Sequence, residues 1–122
     1  MRFELLLIIH FNGKDLFFKL ENANYSMNNG TDKKDFNALK GLYVSSKEPI
    51  SAEFLQIFEN QNLKISGRVE LKDLHNASFK RIIKFDSAKI LLAESMSNYD
   101  GSYSSIQILT DTLDVDGITI NL

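Results

Sequence analysis

The apolar positions of this chain follow a period of two over most of its length and change to a helical period once. Odd positions from Phe3 to Phe11 are all apolar, and Leu6 and Ile8 between them are apolar too. That pattern predicts a strand buried on both faces for part of its length. Asn12-Gly13 follows and suits a type I′ hairpin, which needs positive φ at both central residues. The return strand carries Leu16, Phe18 and Leu20 on one face, and Ala23, Tyr25 and Met27 then take the opposite parity. The change of phase predicts a bulge or bend at residues 21–24. Residues 28–37 (NNGTDKKDFN) are polar around a lone Phe36 and read as an extended loop. A short strand is predicted over 39–45.

The helical stretch is 51–60. Pro49 blocks regular structure before it, Ser51 is placed as N-cap, and Ile50 and Leu55 occupy the two positions of a hydrophobic staple. Ile50, Phe54, Ile57 and Phe58 make one helical stripe. Leu63, Ile65, Gly67, Val69 and Leu71 then alternate with polar residues, as in a half-buried strand. After a turn at 73–78, residues 79–96 are too long for one ordinary strand. Their apolar parity shifts between Phe85 and Ala88, which predicts a bend at Asp86-Ser87 that lets one strand serve two sheets. Residues 97–105 (SNYDGSYSS) read as a loop and 106–115 as a strand. Asp116-Gly117 closes a second hairpin onto Ile118, Ile120 and Leu122. About seven strands with one helix predict a mainly β (α+β) fold. We expect a small antiparallel β-barrel, closed or nearly closed, with one flanking α-helix, in a single domain over 1–122.

Composition narrows the function. The chain has 122 residues, 43% of them hydrophobic with nine Phe, enough for a buried core. A formal charge of -2 gives no basic patch for nucleic acid. There is no cysteine, hence no disulfide, thiolate metal site or Cys nucleophile. The apolar run Leu5–Ile9 is too short for a secretory leader, Glu4 sits where a basic region belongs, and no small-residue cleavage site follows. No apolar run reaches the ~18 residues of a membrane span, so stable membrane insertion is not expected.

Groups suited to chemistry do not converge. His10 and His75 lack partners at metal-ligand spacing. Asp114-Val115-Asp116-Gly117 hints at a calcium loop but has no acidic residue after it, so a hairpin turn is the better reading. No GxSxG, GxGxxG or P-loop occurs. Glu94 reads as a partner in a salt bridge at the rim. We expect no catalytic, cofactor or metal site and no enzyme activity. Tyr25, Tyr43, Tyr99 and Tyr103 suit either an aromatic platform for a ligand or anchors of a protein interface.

Several segments in order resemble the Hcp (TssD) family of type VI secretion tube proteins, in its Bacteroidetes branch. They are Tyr25-Ser26, the turn and helix of 46–62, Lys64-x-x-Gly67-x-Val69-x-Leu71-Lys72, and Leu113-x-Val115-Asp116-Gly117. The longest is Arg81-x-Ile83-x-Phe85-x-x-Ala88-x-Ile90-x-x-x-Glu94-x-Met96. The chain departs from that branch at Asn29 and at Lys40-Gly41, where Arg and Gly-Gly are usual. The resemblance implies a structural subunit that forms homohexameric rings stacked into a tube. Its partners would be other copies of itself, sheath, spike and baseplate proteins, and effectors. It implies a cytoplasmic protein expelled by the apparatus without a signal peptide. Subunit contacts are expected in the long loop, at Asn29, Gly30, Thr31, Asp32, Lys33, Lys34, Asp35 and Phe36. The alternative is a monomeric β-barrel module that binds a ligand or glycan through tyrosine-bearing loops.

Overall fold

The computed structural model of the chain describes residues 2–27, 40–60 and 62–122. Among these, nine strands are present: β1 (Phe3–Phe11), β2 (Lys14–Lys19), β3 (Asn22–Tyr25), β4 (Gly41–Ser46), β5 (Ile65–Asp73), β6 (Ser78–Ser97), β7 (Gly101–Leu109), β8 (Thr112–Val115) and β9 (Ile118–Asn121). All ladders are antiparallel. Their order is β2-β1-β5-β6-β7-β4-β3, with β8 attached to β6 and β9 to β8.

Two expected strands are each divided, which raises the number from about seven to nine. The first division is the predicted bend after β2. Leu20 N donates to Leu5 O on β1, and the next amide, Glu21 N, donates to Ser45 O on β4. The chain therefore changes neighbours within one residue. The second division falls at Thr110-Asp111, inside the segment read as one strand. Thr110 N donates to Lys40 O, and the Thr110 hydroxyl bonds with the backbone of Thr112, turning the chain from β4 toward β6.

The barrel is not closed. Among the described residues no ladder joins β2 to β3, the two ends of the strand path. The ends are consecutive pieces of chain, so the Leu20–Glu21 corner stands where a closing ladder would be. Ser46 Oγ supports the corner by donating to Lys19 O at 2.6 Å.

β6 has the predicted bend. Its first half pairs with β5 as far as Ala88, and its second half pairs with β7 from Lys89 onward. Ser87 has φ +52°, and the β5 register shifts between Ile65 and Gly67. Both two-residue hairpins also form, Phe11 opposite Lys14 and Val115 opposite Ile118. Positive φ occurs at Asn12, Gly13, Asp116 and Gly117, as a type I′ turn requires. The loop expected over 97–105 is shorter. β7 starts at Gly101, because its serines have work inside the fold: Ser102 Oγ donates to Lys47 O and Ser104 Oγ to Glu48 O.

The helix is also shorter than expected. One α-turn, α1 (Ala52–Leu55), tightens into a 3-10 turn (Gln56–Glu59). Ser51 Oγ accepts from Phe54 N at 3.2 Å, the predicted N-cap. Leu55 stays 48% exposed, so the expected staple does not anchor it. Burial falls on Phe54 and Ile57, three residues apart, the spacing a 3-10 turn brings into line. The Phe54 ring lies 5.7 Å from Phe18 on β2 and 6.2 Å from Phe58.

The core sits between the β1-β5-β6 side (Leu7, Ile9, Val69, Ile83, Phe85) and the β4-β7 side (Leu42, Val44, Ile106, Ile108). Each such side chain contributes roughly 1.5–3 kcal/mol by leaving water. In β1, Leu7, Ile8 and Ile9 are all fully buried, as the continuous apolar run predicts.

Candidate functional site

The eight residues expected at subunit contacts, Asn29, Gly30, Thr31, Asp32, Lys33, Lys34, Asp35 and Phe36, lie outside the described residues. What the structure does place is two outward sheet faces of opposite character.

The outer face of β2, β1, β5 and β6 is charged. The cross-strand registers set Asp15 beside His10, Lys19 and Glu70 on either side of Leu6, and Arg68 beside Ile8 and Lys84. His10 Nδ1 lies 2.5 Å from Asp15 Oδ1, and its Nε2 is 3.4 Å from Arg68 Nη1. Arg68 Nε in turn donates to Glu70 Oε2 at 2.8 Å. His10 is thus tied into a surface network of charges. His75 sits in the exposed β5–β6 turn, where its backbone N donates to the buried Asp73 carboxylate. Among the described residues no three His, Cys, Asp or Glu side chains gather as a metal site would require.

The outer face of β3, β4, β7 and the second half of β6 carries no charge across two full rows. Asn24, Tyr43, Gln107 and Leu91 form one row, and Asn22, Ser45, Ser105 and Ala93 the next. Tyr103 beside Ser95 begins the third. The Glu21–Lys47 ion pair, 3.2 Å, marks one edge of this surface and Lys89 the other. A depression of about 250 Å³ lies between Tyr43 and Tyr103. Both tyrosines are on strands, Tyr43 as expected and Tyr103 where a loop was expected. Tyr99 alone is on a loop tip, 97% exposed, and Tyr25 packs against the core.

Among the described residues Glu94 has no salt-bridge partner, where a rim salt bridge was expected. Its Oε2 accepts from Ile50 N at 3.0 Å and lies 3.5 Å from Ser104 Oγ. Ser46, Ser104 and Glu94 share one cross-strand row, and the two serines are buried. This polar row fastens the 47–50 segment that leads into α1. The partner of Glu94 is a backbone amide 44 residues away in sequence, which charge patterning alone cannot indicate. The Asp114–Gly117 turn is likewise structural. Asp114 Oδ1 accepts from Gly117 N, while Asp116 Oδ1 accepts from Ile82 N and its Oδ2 pairs with Arg81 at 3.2 Å. Beyond it β9 pairs only with β8 among the described residues, and Ile118 is 65% exposed.

Two solved structures match this arrangement along nearly the whole chain. Hcp1 from Flavobacterium johnsoniae is similar with a TM-score of 0.71 at 16% identity, covering 100% of both chains. Hcp1 from Salmonella typhimurium is similar with a TM-score of 0.71 at 12% identity, covering 98% of this chain and 92% of its own. This chain has the Hcp fold. No family model and no curated protein matches the sequence. The Hcp fold is therefore kept here at an identity where few individual side chains are shared. In this chain the fold has a bent β6 serving two sheets, a helical turn on the flank, and a terminal hairpin docked on β6.

Proposed function

We propose that the chain is a structural tube subunit of a type VI or related contractile secretion system. In this role six copies close a ring, rings stack into a tube, and the tube carries effectors. The observation that supports it is full-length agreement with the Hcp fold. Two further features fit. The edge of β9, unpaired among the described residues, with exposed Ile118, and the uncharged face of β4 and β7 are surfaces that a neighbouring copy can cover. The chain acts in this reading by shape and assembly, without catalysis or cofactor. It resides in the cytoplasm until the apparatus expels it. No described helix is long and apolar enough to cross a membrane.

Residues 29–36 are proposed to reach the neighbouring subunit or the next ring. Deleting them is expected to leave a protein with unchanged circular dichroism that no longer stacks. Stacked tubes from the deleted protein, seen beside the parent by electron microscopy, would remove that role. Light scattering over rising concentration tests the ring itself. A mass approaching six times 13.9 kDa is expected. A mass that stays at one copy up to the highest soluble concentration would contradict the ring.

A further inference from the structure

We infer that the two ends of the β4-β7-β6 sheet bind each other between copies. The lysines of one end (Lys40, Lys64, Lys89) meet the carboxylates of the other (Glu48, Glu53, Asp100), which makes end-to-end stacking of this chain directional and salt-sensitive. The inference rests on the tube reading in taking the partner to be a second copy.

The registers fix which residues share an end. Gly41, Leu109 and Lys89 stand in one row, and Ser46, Ser104 and Glu94 stand in another toward the far end. Lys40 precedes the first row. Ile65 pairs with Ala88, which sets Lys64 next to Lys89, and all three lysines line one cleft. At the far end, Ser102 Oγ and Ser104 Oγ hold the carbonyls of Lys47 and Glu48. Asp100 is in the turn between β6 and β7, and Glu53 is in α1, whose lead-in Glu94 fastens through Ile50 N. From Lys89 to Ser97, β6 spans roughly 25 Å at about 3.3 Å per residue.

All six side chains are exposed, and none has an ion-pair partner among the described residues. Like charges set side by side on neighbouring strands repel, so an opposite charge from outside relieves Lys64 and Lys89. At the acidic end, Lys47 is held by Glu21 at 3.2 Å and leaves Glu48 unpaired. Asp86 and Asp111 stand among the lysines, Asp86 accepting from the Ser66 hydroxyl. A cleft of both signs suits a protein surface of both signs better than a bare phosphate. The acidic end, with Lys47 among its carboxylates, is such a surface. β3 ends at Tyr25 and β4 starts at Gly41, both at the lysine end. The segment proposed to reach the next ring therefore leaves from the end that this pairing sets against it.

Two charge-reversed proteins test the pairing. One carries Lys40→Glu, Lys64→Glu and Lys89→Glu, the other Glu48→Lys, Glu53→Lys and Asp100→Lys, and circular dichroism should match the parent in both. Light scattering and electron microscopy are compared at about 0.05 M and about 0.5 M salt. The parent should stack at the lower salt, its apparent association constant falling at least about tenfold at the higher, a result that needs no variant. Each reversed protein alone should stay as unstacked rings, and an equal mixture of the two should stack again. Stacking that ignores salt, reversed proteins that stack like the parent, or a mixture that stays unstacked would overturn the inference. If the parent forms no rings, the ring reading fails separately, and the mass of single copies joining end to end decides the pairing. Salt-sensitive growth that each variant loses and the mixture regains upholds it, and no growth overturns it. NMR shifts along the lysine cleft with millimolar pyrophosphate, without self-association, would give the cleft to a free anion and overturn it too.

Discussion

Gly67 has no room for a methyl group. A Cβ there would meet Ile8 O at 2.3 Å and Phe85 Cζ at 2.9 Å, one a backbone atom and the other a packed core ring. Gly67→Ala is expected to cost about 1–3 kcal/mol of stability through overpacking, read as a fall in the urea midpoint. The alternation of β5 made Gly67 legible as an inward position, but not as a close contact. That depends on Phe85, which the β5–β6 register places opposite it. Glu94 teaches the same lesson more sharply. It is part of the spaced pattern that resembles the tube family, yet its role appears only when β6 brings it beneath Ile50. Glu94→Ala should cost about 1 kcal/mol and speed hydrogen exchange at the Ile50 amide. Glu94→Gln, which keeps an acceptor oxygen, should cost less. Equal effects from the two substitutions would mean that the Ile50 hydrogen bond is not what Glu94 provides.

At the scale of elements, period and turn chemistry carried most of the information. Asn12-Gly13 and Asp116-Gly117 specify their hairpins because few other residues accept positive φ at both positions. The phase shift near Ser87 marks the β6 bend because a parity change reverses which face is buried. The helix was overestimated for a physical reason: a stripe of apolar residues reports which positions are buried, not whether the turn that buries them is α or 3-10. The Ser-rich start of β7 was read as loop because serine is common in turns, and its carbonyl partners, Lys47 and Glu48, come from a distant segment. The β8–β9 hairpin is held to β6 by a short ladder through Asp114 and Val115 and by the Asp116 side chain, which bonds both Ile82 N and Arg81. Asp116→Ala should lower hydrogen-exchange protection across 112–121 while leaving β1 and β5 unchanged, with a total cost of about 1–2 kcal/mol. Asp116→Asn retains an acceptor for Ile82 and tolerates positive φ, and should keep most of the protection. Uniform loss of protection through the chain would show that the hairpin is not a separate unit.

At the scale of the whole molecule, the strand order was not readable from the sequence. Alternation gives strands and faces but not neighbours, and β5 lies between β1 and β6 only because long-range ladders put it there. The open sheet follows from the same limit. Nothing in the pattern tells a bent strand that closes a barrel from one that turns its corner without a ladder. The resemblance to the tube family implied an Hcp-like fold but no strand order, and the two Hcp1 structures share the fold at 16% and 12% identity. In the proposed ring, the edge of β9, unpaired among the described residues, is one surface that a neighbouring copy can cover. The most direct test of the central claim is negative-stain electron microscopy of the purified protein at high concentration. The tube-subunit account predicts sixfold rings, alone or stacked into tubes. Uniform particles the size of a single 13.9 kDa copy, with no rings even when crowded, would contradict it.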